Sequence, residues 1–138
     1  MFKRLTLTFA LILLLSSAAL AANMMEEDAV KNLLEQDNAL ILVDIQPAEA
    51  FAKAHIRGSL ETNAFPAKTA EEKARLDQVL PVIQSSDLPV VIVCPRGKSG
   101  ARNSYDYLLS KGVPEDRLYI LEGGMADWPF DELLVEGR

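Results

Sequence analysis

The sequence holds one cysteine, Cys94, and one histidine, His55, in 138 residues. A single thiol excludes an internal disulfide framework and a cysteine-cluster metal site. A single imidazole excludes a multi-histidine zinc site. Neither kind of metal site is therefore expected; no metal and no cofactor are expected in this chain. Positive charge is also short: 14 Lys and Arg stand against 20 Asp and Glu, a formal net charge of −6. Non-specific nucleic-acid binding rests on basic side chains neutralising phosphates, and this balance argues against it. Internal repeats and low-complexity tracts are absent as well. What is present is an ordinary globular mix, 49% hydrophobic and 25% charged, which excludes wholesale disorder. The length suits one domain.

The first residues have their own layout. Lys3 and Arg4 make a short basic start, Leu5 to Leu15 is almost wholly apolar, and small residues follow to Ala22. Ala19-Leu20-Ala21 fits a small-x-small cleavage pattern. This is the plan of a secretory signal peptide over residues 1–21. No cysteine stands at the cleavage point, which argues against a lipoprotein anchor. The competing reading is an uncleaved membrane anchor, for which Leu5 to Ala22 is barely long enough. Both readings send the domain outward, to a bacterial periplasm or beyond the cell. Removing residues 1–21 takes away two basic residues and no acid, moving the net charge from −6 to −8. A lone thiol in an oxidising compartment is either buried and inert or chemically used.

Along the rest of the chain, short apolar runs alternate with amphipathic stretches. Met24 to Gln36 reads as an amphipathic helix, with Met25, Ala29, Val30, Leu33 and Leu34 on one side. Leu40 to Val43 reads as a strand buried on both faces, ending at Asp44. Pro47 opens a short helix that turns Phe51 inward. Ser59 to Thr62 reads as an edge segment and residues 63–68 as a loop. Thr69 with Glu72 makes a capping box for a helix to about Ile83, which Pro81 kinks or breaks. Leu88 to Val93 is a strand ending at Cys94, and Gly100 to Lys111 a helix capped by Gly112. Leu118 to Leu121 is a further strand, and Met125 to Trp128 starts a last short helix. This order predicts a three-layer α/β domain over residues 24–130, with a mostly parallel central sheet and helices on both faces. Residues 131–138 are left as a C-terminal tail. Sites in such sheets lie at the carboxyl ends of strands, where Cys94 falls.

The segment from Cys94 to Arg102 combines three features. A cysteine ends a buried strand and precedes a helix, so it feels the positive end of the helix dipole, which favours the thiolate. Gly97 and Gly100 let successive backbone N–H groups turn inward as an anion-binding nest. Arg96, Lys98 and Arg102 add positive charge to an acidic protein, against its overall sign. The competing readings are an anion loop with an inert buried cysteine, or a solvated turn with incidental charge. The three features together favour chemistry.

At this point the chain resembles a family, the single-domain rhodaneses. Cys94-Pro95-Arg96-Gly97-Lys98-Ser99 is similar to the family's Cys-x-x-Gly-x-Ser/Thr active loop. Val43-Asp44-Ile45 with Pro47 to Phe51 resembles its "DVR…EF" segment, and His55 to Ser59 its "HIPGA" turn. Leu121-Glu122-Gly123-Gly124 with Trp128 resembles its "L-x-GG-xxx-W" ending. Gln46 departs from the usual Arg, and Arg57 from the usual Pro. The Arg found near the end of many such loops is missing, with Ser99-Gly100 in its place and Lys98 the nearest cation.

The resemblance implies a thiosulfate sulfurtransferase. The Cys94 thiolate would attack the outer sulfur of thiosulfate or a similar donor, sulfite would leave, and Cys94 would carry a persulfide. A thiol or cyanide would then take that sulfur. This is covalent catalysis by an activated nucleophile. Arg96, Gly97, Lys98, Ser99 and Gly100 would bind the anionic substrate, through amides and attracting charge. Arg102 either supports the site or faces solvent. Asp44 is a possible support, more simply read as a carboxylate fixing a neighbouring turn. His55 and Trp128 read as structural.

Three other functions compete. A phosphatase or arsenate reductase needs Cys-x5-Arg, but the sixth residue after Cys94 is Gly100. A non-catalytic binding module would not need the cysteine. A sulfur or selenium carrier would pass the persulfide to a periplasmic redox or sulfur-acceptor protein. With no second cysteine, a dithiol cycle within the chain is excluded. A membrane contact is expected only if the first segment is uncleaved. N-terminal sequencing of exported protein is expected to start at Ala22 or one residue later. Membrane-bound material that retains Met1 would favour the anchor.

Overall fold

The computed structural model describes residues 21–138, so the expected signal segment lies almost wholly outside the described residues. Its centre is a five-stranded sheet in the order β1-β6-β5-β2-β4, every pair parallel. The three long strands are β2 (Ile41–Asp44), β5 (Val90–Val93) and β6 (Leu118–Leu121). They are the continuous apolar runs of the sequence, as a sheet covered on both faces requires. Two short strands, β1 (Met24–Met25) and β4 (Leu60–Glu61), close the edges.

Side chains alternate between the two faces with the strand period of two. Ile41 and Val43, Val90 and Ile92, and Leu118 and Ile120 face one core, with Leu76, Ile83, Ala101, Tyr105 and Leu108 packed on them. Leu42, Val91, Val93 and Leu121 face a second core with Val30, Leu34, Trp128 and Leu133. Helix α1 (Glu27–Glu35) thus covers one face and α5 (Ser99–Ser110) the other. Cys94 follows Val93 and belongs to the α5 side.

Three expectations change in detail. The first helix does not begin at Met24. Met24 and Met25 pair with Ile120 and Leu121 instead. The exposed edge of β6 offers unpaired backbone groups, and the preceding chain takes them before α1 starts. Between α2 (Ala48–Lys53) and β5, the helix from Thr69 breaks earlier than Pro81. It forms α3 (Ala70–Ala74), a 3-10 stretch (Arg75–Val79) and α4 (Leu80–Gln84). Pro81 has no N–H for the carbonyl of Asp77, so an α-helix cannot run through; Pro81 instead sits in the first turn of a new one. The capping box forms, with Glu72 N–H donating to Thr69 Oγ1 at 3.1 Å and Thr69 N–H to Glu72 Oε1 at 3.0 Å. Finally, the C-terminal tail is part of the fold. Leu134–Val135 (β7) pairs antiparallel with His55–Ile56 (β3), and Leu133 is buried.

Asp44 is a fully buried carboxylate at the end of β2. Oδ1 accepts the Gln46 backbone N–H at 2.8 Å, and Oδ2 accepts the Gln46 side-chain amide at 3.0 Å. Burial nonetheless outweighs these bonds and pushes its pKa from 3.8 to about 6. The unfolded chain gives up this proton first, so the folded state is favoured while Asp44 is protonated. Its contribution is complete below pH 4 and is lost as pH rises to about 6, roughly 3 kcal/mol in all. Urea denaturation is expected to show this loss between those pH values, and Asp44→Asn is expected to flatten it.

Candidate active site

The loop between β5 and α5 is only residues 94–98, so Cys94 lies one short turn from the helix start at Ser99. The Gly97 N–H donates to Cys94 Sγ at 2.7 Å. That bond sets a backbone donor directly on the sulfur. The loop holds this shape because its first two carbonyls are tied elsewhere. Cys94 O accepts from Met125 N–H, and Pro95 O from Ala126 N–H, each at 2.9 Å. With these carbonyls turned toward the segment after β6, the Gly97 amide is left to face the sulfur.

Two glycines make that seating possible. Gly97 has φ +67°, and a Cβ on it would lie 2.9 Å from Gly123 N and 3.0 Å from Leu121 O. Gly124 has φ +59°, and a Cβ on it would lie 2.3 Å from Cys94 O and 2.6 Å from Gly97 N. The two loops meet backbone to backbone, so side chains are excluded there.

Above the loop is a cavity of about 260 Å³. Its walls are Cys94, Pro95, Arg96, Lys98, Ser99 and Gly100, together with Phe65 from a distant loop. Cys94 is only 1% exposed, so its thiol opens to this cavity and not to the general surface. Phe65 lies directly on Gly100, where a Cβ would come within 2.7 Å of the ring.

The structure thus brings Cys94, Arg96, Lys98, Ser99 and Gly100 to one cavity. Gly97 lies beneath as hydrogen-bond donor and backbone contact. Arg102 is not among the walls. It pairs with Asp106 at 3.2 Å and stands beside the Tyr105 ring. Asp44 is also outside the walls, engaged with Gln46. His55 stacks on Phe51 at 3.8 Å, and its Nδ1 lies 3.0 Å from the Phe51 carbonyl oxygen. Trp128 is a core residue whose Nε1 donates to Phe130 O. Phe65 was not expected, since residues 63–68 read only as loop. An aromatic followed by proline was the available signal, and it does not say which cavity the ring would wall. Among the described residues, no group of three or more His, Cys, Asp and Glu is placed to hold a metal ion.

A family model for the rhodanese-like domain matches residues 26–129. A thiosulfate sulfurtransferase of Pseudomonas putida, GlpE, is 27% identical over 95 residues, covering 69% of this chain and 74% of its own. Among solved structures, a Pseudomonas aeruginosa thiosulfate sulfurtransferase superposes with a TM-score of 0.61 at 18% identity, over 85% of this chain and 20% of that one. A yeast protein tyrosine phosphatase of the rhodanese family superposes at 0.65 with 14% identity, over 85% and 94% of the two chains. Likenesses at such identities establish a shared fold, which carries different chemistries.

Gly124→Ala is expected to destabilise the protein by about 1–3 kcal/mol more than Gly112→Ala, because it overpacks backbone against backbone. Gly112 has φ +90° but open space around it, so it reports backbone strain alone. Urea denaturation of both variants checks this.

Proposed function

The chain belongs to the family of rhodanese-like domains, and from that premise we propose that it is a sulfurtransferase working through a persulfide on Cys94. The observation that carries the reading is the Gly97 N–H aimed at Cys94 Sγ at the base of a small cavity bordered by two cations. A nucleophile with a donor on its sulfur and positive charge beside it suits attack on a small dianion.

In the first step the Cys94 thiolate attacks the outer sulfur of thiosulfate. A bond forms between Sγ and that sulfur, the bond to the sulfonate sulfur breaks, and sulfite leaves with the electron pair. Arg96 and Lys98 draw the donor's oxyanions in, while the Gly97 amide and the start of α5 at Ser99 and Gly100 hold the persulfide's charge. In the second step a thiolate or cyanide attacks the outer sulfur, and the electron pair returns to Sγ. No cofactor takes part. The likeness to the Pseudomonas putida sulfurtransferase supports thiosulfate as donor. Arg102, held by Asp106, is assigned to the helix surface and not to oxyanion binding. That leaves the loop without the arginine clamp a phosphatase requires. We place the domain outside the cytosol, in a bacterial periplasm, after cleavage near Ala21. A periplasmic acceptor there would be a small thiol or a sulfur-accepting protein.

Thiosulfate is expected to add one sulfur, about 32 Da, to wild-type protein by this covalent route, read by intact mass. Cyanide or dithiothreitol should remove it, and Cys94→Ser should neither gain mass nor form thiocyanate. Arg96→Ala and Lys98→Ala should raise the thiosulfate KM, each lost charge-assisted contact costing about 1.5–3 kcal/mol. A free-thiol wild type that gains no mass would reduce the domain to a binding module.

A further inference from the structure

Seven residues wall the Cys94 cavity, and six of them belong to the contiguous segment 94–100. The seventh, Phe65, is the one wall brought from elsewhere in the chain. Its side chain has no charge and no hydrogen-bonding group, so it contributes shape and the exclusion of water. The cavity holds about 260 Å³, below the roughly 300–1,000 Å³ of pockets that take drug-sized ligands. On another side of the ring lies a groove of about 450 Å³, lined also by Thr62, Asn63, Arg75 and Gln78. Phe65 is the only residue that borders both hollows. The ring is thus a partition, and without it the space above Cys94 would run on into the groove.

The partition is held from two sides. Phe65 N–H donates to Ile45 O at 2.8 Å, just past the end of β2, and Ala67 N–H donates to Ala64 O at 2.7 Å. Ala64 and Ala67 are fully buried, so the chain on either side of the ring is packed in place. From α5, the Asn103 side-chain amide donates to Pro66 O at 3.1 Å. Inward, the ring rests on Gly100, where a Cβ would come within 2.7 Å of it. The backbone and Asn103 fix where the ring stands, and Gly100 fixes how close to the loop it lies.

We infer that Phe65 is the specificity-determining residue of the Cys94 cavity, a wall that admits compact sulfur donors and turns away donors with a bulky organic group, and that Asn103 is its positioning residue. The inference rests on the persulfide reading of Cys94 and adds what sets the size of the donor. Residues 94–100 are committed to the nucleophile and to the donor's charge, and any change among them disturbs the reaction itself. Phe65 stands outside that segment, so the size of the donor is set there without altering the chemistry at sulfur. The ring is 36% exposed, and its truncation therefore removes the wall while costing the core little.

Methanethiosulfonate and benzenethiosulfonate test this. Both are monoanions with the same transferable outer sulfur, and they differ in a methyl or a phenyl group on the sulfonyl. With either, the Cys94 thiolate bonds to the outer sulfur, the sulfur–sulfur bond breaks, and the sulfinate leaves with the electron pair. Loading is followed as the gain of one sulfur in intact mass over a series of donor concentrations. The phenyl-to-methyl ratio of loading rates is compared between variants, which cancels the donors' unequal reactivity. Phe65→Ala should raise that ratio about tenfold or more, the scale on which an apolar pocket discriminates by size. Phe65→Leu, which keeps part of the wall, should raise it less. Asn103→Ala, which keeps the ring and removes its tie, should move the ratio in the same direction, and a ratio equal to wild type removes Asn103 from the assignment. A ratio that stays the same or falls in Phe65→Ala overturns the role of Phe65 and leaves the persulfide standing. Failure of wild type to load sulfur from either donor overturns both.

Discussion

The Cys94 loop is held by backbone contact with its neighbour. The five residues after β5 cannot keep their shape alone, because the Gly97 amide must meet the sulfur and the Cys94 and Pro95 carbonyls need partners. Those partners are the Met125 and Ala126 amides, supplied by the segment after β6. The two segments approach so closely at Gly97 and Gly124 that no side chain fits between them. Everything chemical at Cys94 follows from this. The Cys94 and Pro95 carbonyls are drawn to that segment, and the Gly97 N–H meets the sulfur. Neighbouring parallel strands bring these two loops to the same end of the sheet, so the β5–β6 register also aligns the site.

Around that seat the charge is distributed against the protein's overall sign. The chain carries an excess of six acids. Arg96 and Lys98 nevertheless border the Cys94 cavity. Local fields in small cavities decide anion binding more than net charge does. Arg102 shows that a basic residue near the loop is not enough. One turn into α5 it meets Asp106 on its own helix and is engaged there. Asp44 makes the complementary point, since a carboxylate at the end of a central strand is kept by burial and by Gln46 as a structural group.

The fold itself was largely legible in the sequence. The apolar runs 40–43, 88–93 and 118–121 are short, continuous and separated by helical patterns, which only a parallel sheet covered on both faces satisfies. The capping box at Thr69 and the end of the helix before Gly112 follow local rules, and both stand where those rules put them. The errors lie where local rules lose to distant partners. Met24 and Met25 have helix-compatible side chains but pair with β6. The tail, which carries no strong pattern, finds the open edge of His55–Ile56.

For the site, the sequence by itself determined the place of Cys94, the short glycine-bearing loop and the cations beside it. These are properties of contiguous residues, and their chemistry follows from their types and spacing. Only the tertiary structure decided which of them share a cavity. It set Arg102 beside Asp106, put Gly123-Gly124 beneath the loop, and brought Phe65 from 35 residues away onto Gly100. Those facts depend on distances between segments far apart in the chain, which are fixed by sheet order and packing and leave no periodic trace in the residues themselves.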